Sequence, residues 1–156
     1  LIFSFFDLTS VFLSRSDLFS GNSSFERIEL LRISKNMFFD NSFGVGIGSF
    51  TYKMQEYTSL NLMPWQYQPV HNIYLLILNE QGFITLFMYL YLFYYIFTNC
   101  LKNKNNNDLY LVSLLFMYLI IGLFDHYLIS IYQGQILLFL FYSLFSLSQQ
   151  KDFYIH

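Results

Sequence analysis

The chain has 156 residues, of which 55% are hydrophobic, 22% aromatic and only 12% charged. Soluble domains carry roughly twice that charged share, and one small core could not hide so much apolar surface, so the composition indicates a membrane protein. The formal net charge of −2 excludes the basic field that attracts nucleic acid. A lone cysteine, Cys100, excludes an internal disulfide, and no cluster of cysteine and histidine has the spacing of a zinc site. We therefore expect no metal and no cofactor.

The chain opens at Leu1 with neither a methionine nor a basic leader, which predicts the C-terminal part of a longer protein. A membrane-spanning helix needs roughly 20 apolar residues. The expected fold class is an all-α integral membrane protein with about three to four transmembrane helices and an extramembrane helical segment. Apolar runs predict these helices at about 72–98, 109–124 and 135–148, with a partial helix at 1–13 and a polar tail at 149–156.

Residues 14–70, here called the polar segment, precede the membrane region at 71–148 and have room for a folded extramembrane structure. Ser23 and Glu26 have the spacing of a capping box, which predicts a helix near 24–39. The apolar positions of this helix do not fall on one clean stripe. We therefore expect it to lie at the membrane surface or under other protein.

Three glycines, Gly44, Gly46 and Gly48, follow the predicted helix. A phosphate-binding glycine loop should follow a strand and open a helix within a βαβ unit, and no such unit is predicted here. The pattern therefore favours a turn in which backbone segments pack closely.

Two arginines of the predicted helix differ in their neighbours. Arg32 has Glu29 three residues before it, so a surface salt bridge accounts for its charge. Arg27 has no acidic residue at helical spacing. Two interpretations of Arg27 stay open: a guanidinium that snorkels to lipid headgroups, or a clamp for an anion such as phosphate.

His71 stands at the beginning of the longest apolar run. Pro69 suits the first turn of a helix, so we expect His71 to lie in that turn at the membrane surface. An imidazole in contact with water can accept a proton near neutral pH, and a helix N-terminus favours its neutral form. Two interpretations stay open here too: a proton acceptor, or an interfacial polar residue without a catalytic role.

Ionisable residues also lie within or beside the apolar runs. Glu80 lies inside the longest run, where a carboxylate is costly and indicates function or a buried partner. Arg27 and Arg32 are its candidate partners. Asp125 and His126 are adjacent, and since neighbours on a helix do not face each other, we interpret them as interface anchors rather than as a catalytic dyad.

The basic residues orient the chain only in part. If each apolar run crosses the membrane once, the polar segment and the turn at 125–134 share one side, and the loop at Lys102 shares the other with the tail. Cytoplasmic loops of membrane proteins carry an excess of lysine and arginine. The polar segment and the turn contain more of these residues in total, which favours a cytoplasmic polar segment. The loop and the tail contain more of them per residue, which favours an extracytoplasmic polar segment.

In their order and spacing, these motifs resemble the C-terminal part of the O-antigen ligase and polymerase superfamily. That superfamily comprises the ligases, the chain-extending polymerases and the bacterial protein O-oligosaccharyltransferases. The chain departs from the superfamily pattern at Leu31, where tryptophan is common in the superfamily, and at Thr85, where a second glycine is common. The matching elements are Ser24, Arg27 and Leu31; the turn 40–50; His71-Asn72-Ile73-Tyr74-Leu75; Glu80-Gln81-Gly82; Phe124-Asp125-His126-Tyr127; and Gln133-Gly134.

The resemblance implies a metal-independent glycosyltransferase of the bacterial inner membrane, with the polar segment on the extracytoplasmic side. A glycan would move from a polyprenyl-diphosphate carrier to a hydroxyl of a lipid, a glycan or a protein. By this resemblance Arg27 and His71 are catalytic: Arg27 would stabilise the diphosphate leaving group, and His71 would take the proton of the acceptor hydroxyl. The implied substrate-binding residues are Arg32, Asn72 and Glu80.

The alternative is a non-catalytic multi-pass membrane protein, such as a transporter fragment or an assembly subunit. The same apolar runs and the carboxylates of Glu80 and Asp125 would account for it. Proteolysis between Thr51 and Gln68 only from the cytoplasmic face would contradict the glycosyltransferase interpretation.

Overall fold

The computed structural model describes residues 22–59, 62, 64–103 and 106–153, and every regular element assigned in these ranges is a helix. The all-α fold class is thus confirmed for this part of the chain, and the partial helix predicted at 1–13 lies outside it. In chain order the elements are α1 (Asn22–Asp40), α2 (Phe50–Lys53), the 3-10 turns Met54–Glu56 and Pro64–Gln66, α3 (Ile73–Asn103), α4 (Asn106–Phe124), α5 (Tyr127–Ser130) and α6 (Tyr132–Phe153).

The long helices lie close to their predicted positions. The helix expected near 24–39 is α1, which includes Ser23 and so begins before the expected capping box. Helices α3, α4 and α6 cover the three longer apolar runs. Because α6 continues to Phe153, the tail expected from residue 149 begins as helix.

Two hydrophobic clusters hold these helices together. Helix α1 buries one face through Leu30, Ile33 and Met37, so its predicted packing under other protein is confirmed for that face. The first cluster joins α3, α4 and α6 and consists of Ile73, Ile77, Phe93, Ile96, Cys100, Leu111, Leu115, Tyr118 and Phe141. The second joins α1, α2 and the beginning of α3 and consists of Leu30, Ile33, Met37, Phe50, Met54, Val70 and Leu76.

Helix α3 is interrupted at Gly82, whose backbone has φ 85° and ψ 173°. Residues other than glycine rarely adopt this conformation. Next to the break, the carbonyls of Asn79 and Glu80 accept hydrogen bonds from the N–H groups of Val45 and Gly46, both at 2.8 Å. The turn after α1 is therefore docked on the interrupted helix by backbone hydrogen bonds.

That turn, residues 42–48, is here called the glycine loop. On its other side, the N–H of Phe83 donates to the carbonyl of Ser42 at 3.2 Å. A Cβ added to Gly44 would lie 2.5 Å from the Glu80 carbonyl oxygen, and one added to Gly82 would lie 2.5 Å from the carbonyl carbon of Phe43. The close backbone packing predicted for the three glycines is confirmed at Gly44, whereas nothing lies within 4 Å of a Cβ added to Gly48.

Among the helices of the described residues, Ile73–Lys102 is long and apolar enough to cross a membrane. Only 17% of its apolar stretch is buried by the rest of the chain, whereas the core helix of a soluble protein is mostly covered. Asp108–Phe124 is apolar but shorter, and α6 does not meet the same criterion of length and composition. The structure therefore supports one candidate membrane span out of the three predicted here.

Candidate functional site

A cavity of about 240 Å³ lies where α1 meets the beginning of α3 and the end of α4. It contains one arginine and one histidine, both of which the sequence singled out. The residues that line it are Arg27, Leu31, Val70, His71, Asn72, Leu123 and Phe124. The structure thus brings together Arg27, His71 and Asn72 from distant parts of the sequence.

Arg27 is exposed on α1, and within the described residues its side chain has no hydrogen bond or ion pair. Leu31 lies one turn further along the same cavity wall. A guanidinium without a carboxylate partner has its planar set of N–H donors available to an external anion. This geometry is compatible with the anion-clamp interpretation of Arg27.

Arg32, by contrast, is engaged by protein groups. Its Nε and Nη2 donate to the two carboxylate oxygens of Glu29 at 2.9 and 2.6 Å, and Nη2 also lies 3.3 Å from the carbonyl oxygen of Tyr57. The hydrogen bond from Arg32 holds the pKa of Glu29 below its ordinary value. The predicted salt bridge is confirmed, and Arg32 is not among the residues that line the cavity.

Asn72 caps the N-terminus of α3. Its Oδ1 accepts a hydrogen bond from the N–H of Leu75 at 2.9 Å, which is the usual N-cap geometry. Its Nδ2 donates to the carbonyl of Leu123 at 3.0 Å, near the end of α4. Asn72 therefore fixes the beginning of α3 against the end of α4, in addition to lining the cavity.

This cap corrects the predicted position of His71. Because Asn72 is the N-cap and α3 begins at Ile73, His71 precedes the helix instead of lying in its first turn. Pro69, which suggested an earlier start, lies in non-helical backbone. The side chain of His71 is only 18% exposed, so the expected open contact with water is reduced to the side that faces the cavity.

The turn after α4 brings a carboxylate to His71. Oδ1 of Asp125 lies 3.7 Å from Nδ1 of His71, and it also accepts a hydrogen bond from the N–H of His126 at 2.7 Å. The rings of His71 and His126 have centroids 5.4 Å apart. The geometry agrees with the interpretation that Asp125 and His126 do not form a dyad with each other. The sequence does not predict the pairing of Asp125 with His71.

His126 is buried beneath this pair. Its Nδ1 lies 2.7 Å from Oγ of Ser130. Burial lowers the pKa of His126, which the neighbouring Asp125 carboxylate partly opposes. His126 is consequently more deeply embedded than an interface anchor, the role expected from the sequence.

Glu80 lies outside the cavity. Its carboxylate oxygens accept hydrogen bonds from the N–H groups of Gly48 at 2.9 Å and Phe50 at 3.1 Å. The expected partners, Arg27 and Arg32, do not contact it in the described residues. Glu80 therefore holds the glycine loop and the beginning of α2 against α3.

The arrangement has two chemical capacities. Arg27 offers a positive charge and several donors to an anion, and His71 beside Asp125 offers a nitrogen that can accept a proton. No family model, no curated protein and no solved structure matches the chain.

Proposed function

We propose that the protein is part of a bacterial inner-membrane glycosyltransferase of the O-antigen ligase and polymerase type. It transfers a glycan from a polyprenyl-diphosphate carrier to a hydroxyl acceptor in the biosynthesis of surface polysaccharide. The observation that supports this most is the cavity that both Arg27 and His71 line. These are the two residues to which the family resemblance assigns the catalytic roles.

The proposed membrane arrangement has α3, α4 and α6 crossing the bilayer. Large apolar side chains on all three helices are exposed, and a bilayer would cover them; examples are Phe87, Leu109 and Phe139. His71 and Asp125 lie at one end of the helices, opposite the end of α3 that contains Lys102, which the sequence placed in a loop. The end with His71 faces the extracytoplasmic side, where the carrier presents its glycan.

In the proposed reaction, Arg27 binds the diphosphate and stabilises the negative charge that develops on it. The acceptor hydroxyl oxygen forms a bond to the anomeric carbon while the bond from that carbon to the diphosphate oxygen breaks. His71 accepts the hydroxyl proton. Asp125, whose Oδ1 lies 3.7 Å from Nδ1 of His71, stabilises the cationic form of the imidazole after proton transfer.

The alternative, a transporter fragment or an assembly subunit, was motivated by carboxylates within the apolar runs. Glu80 does not favour it, because two backbone N–H groups already engage its carboxylate. Asp125 does not favour it either, because its carboxylate lies beside His71 at a helix end.

The test replaces the chromosomal gene of the native host with variants and measures surface glycan by gel electrophoresis. His71→Ala should lower glycan transfer by about 10² to 10⁴, the usual contribution of acid–base catalysis. Arg27→Ala should also abolish most of the product. Lys35→Ala is the matched control for Arg27→Ala, because Lys35 is an exposed cation on the same helix but does not line the cavity.

Membrane levels of each variant are followed by immunoblotting, so that loss of product is separated from loss of protein. Wild-type amounts of surface glycan in both His71→Ala and Arg27→Ala would contradict the proposed function. So would a defect of equal size in Lys35→Ala at normal protein level.

A further inference from the structure

Three side chains with metal-binding atoms converge beside the cavity. His71, Asp125 and His126 each offer one ligand atom, and these atoms all lie within 4.8 Å of one another. His71 comes from the segment before α3, whereas the other two come from the turn between α4 and α5. Because two distant parts of the chain assemble the set, no local spacing of cysteine or histidine predicts it.

The hydrogen bonds of His126 leave one of its nitrogens available. Oγ of Ser130 donates to the carbonyl oxygen of His126 at 3.1 Å, so its proton is engaged there. Oγ can then accept a hydrogen bond from Nδ1 of His126, 2.7 Å away. We assign this tautomer from the hydrogen bonds. It leaves the lone pair on Nε2, as a metal-bound histidine requires when its other nitrogen is fixed by a hydrogen bond.

The contact between His71 and Asp125 has the spacing of two ligands rather than that of a hydrogen bond. Nδ1 of His71 is buried and has no hydrogen-bond partner, and Oδ1 of Asp125 is 3.7 Å away. Two ligands that each bind a tetrahedral zinc ion at 2.0–2.1 Å lie about 3.3 Å apart. A small rotation of either side chain would reach that distance.

We propose that His71, Asp125 and His126 form a binding site for a divalent transition-metal ion, with Zn²⁺ as the best match. Two imidazoles and one carboxylate are a common protein ligand set for zinc and for iron. The site lies beside the cavity, so water or another oxygen ligand can complete the coordination. This site goes beyond the proposed glycosyl transfer, which requires no metal.

Metal binding and proton acceptance exclude each other at His71. A neutral imidazole whose Nδ1 binds a metal carries its proton on Nε2 and has no lone pair left to accept another. If the proposed function holds, the metal-bound state is inactive in glycosyl transfer. The metal site itself does not depend on that function.

The experiment uses the protein purified in detergent micelles with a tag that contains no histidine. Co²⁺ titration of the unmutated protein should give visible absorption bands that saturate at one ion per chain and disappear on addition of Zn²⁺. Zn²⁺ should also raise the Tm, because it binds the folded state. Asp125→Asn and His126→Gln should each weaken Zn²⁺ binding by more than the 10- to 100-fold that loss of an outer-shell partner costs.

Three controls separate this site from others. His156→Gln tests the third histidine of the chain, Asp40→Asn tests an exposed carboxylate on α1, and Arg27→Ala tests the proposed function. All three should bind Zn²⁺ as the unmutated protein does, and Arg27→Ala should nevertheless lose glycan transfer. The absence of saturable Co²⁺ bands in the unmutated protein would overturn the proposal. Equal Zn²⁺ affinity in folded Asp125→Asn, judged by circular dichroism, would overturn it as well.

Discussion

Nδ1 of His71 lies 3.7 Å from Oδ1 of Asp125, although one residue precedes α3 and the other follows α4. The side chain of Asn72 holds these two boundaries together through its bond to the carbonyl of Leu123. The pair is therefore a product of helix packing, and it gives His71 a carboxylate partner at the edge of the cavity.

Asp125→Asn should lower kcat for glycan transfer about tenfold to a hundredfold, a part of the 10² to 10⁴ that acid–base catalysis contributes. Asparagine keeps the shape but cannot stabilise a cationic imidazole. KM for the diphosphate-linked donor should stay the same, because Arg27 is unchanged. The measurement is steady-state transfer with a chelator present, so that metal binding plays no part, and Asp40→Asn is the control.

Local features of this chain were predictable, whereas its long-range contacts were not. The Arg32–Glu29 pair follows from a spacing of three residues on a helix, and the structure confirms it. The Asp125–His71 pair depends on how two helix ends pack, which no local pattern encodes. Pro69 predicts a helix start that is too early for His71. The helix starts later because the side chain of Asn72 accepts a hydrogen bond from the N–H of Leu75.

Glu80 and the glycines show a second limit. The sequence indicated that a carboxylate within an apolar run needs a partner, but its partners are the backbone N–H groups of Gly48 and Phe50. Backbone donors carry no signal in residue identity, so the sequence indicates only charged side chains as partners. Close packing at Gly44 was predictable, since residues without a side chain after a helix favour it.

Gly82→Ala should unfold the protein or destabilise it by ~3 kcal/mol or more. The backbone at Gly82 has φ 85°, and an added Cβ would lie 2.5 Å from the carbonyl carbon of Phe43, which cannot move aside as a flexible side chain would. Thermal unfolding in detergent measures the effect.

Gly48→Ala is the matched control for that prediction. Gly48 also has a positive φ of 73°, but nothing lies within 4 Å of its added Cβ. Gly48→Ala should therefore lower the free energy of unfolding through backbone strain alone, by about 1–2 kcal/mol. Equal losses of stability in the two variants would contradict the prediction, because the contact of Gly82 with the glycine loop would then add nothing to the loss caused by backbone strain.

Glu80→Gln should reduce stability by about 1–3 kcal/mol, because hydrogen bonds to a charged acceptor are stronger than those to an amide and one of the two N–H groups loses its acceptor. Transfer per folded molecule should change little, since Glu80 holds the glycine loop and not the cavity. Thermal unfolding and kcat are measured on the same preparation. A normal Tm with a large rise in donor KM would instead support the substrate-binding role implied by the family resemblance.

Lowering the pH should reduce the free energy of unfolding, because the carboxylate of Glu29 in α1 becomes protonated. The hydrogen bond from Arg32 holds the pKa of Glu29 below its ordinary value of 4.5, and Thr58 adds a smaller effect in the same direction. The unfolded chain therefore binds a proton at higher pH than the folded chain does. The stabilisation is complete well above pH 4.5 and is lost as the pH falls from that value through the folded pKa.

Thermal unfolding between pH 3 and pH 7 should show this decline, and both Glu29→Gln and Arg32→Ala should make it shallower. An unchanged slope of Tm against pH in Arg32→Ala would contradict the assignment of the pKa shift to the Arg32–Glu29 pair.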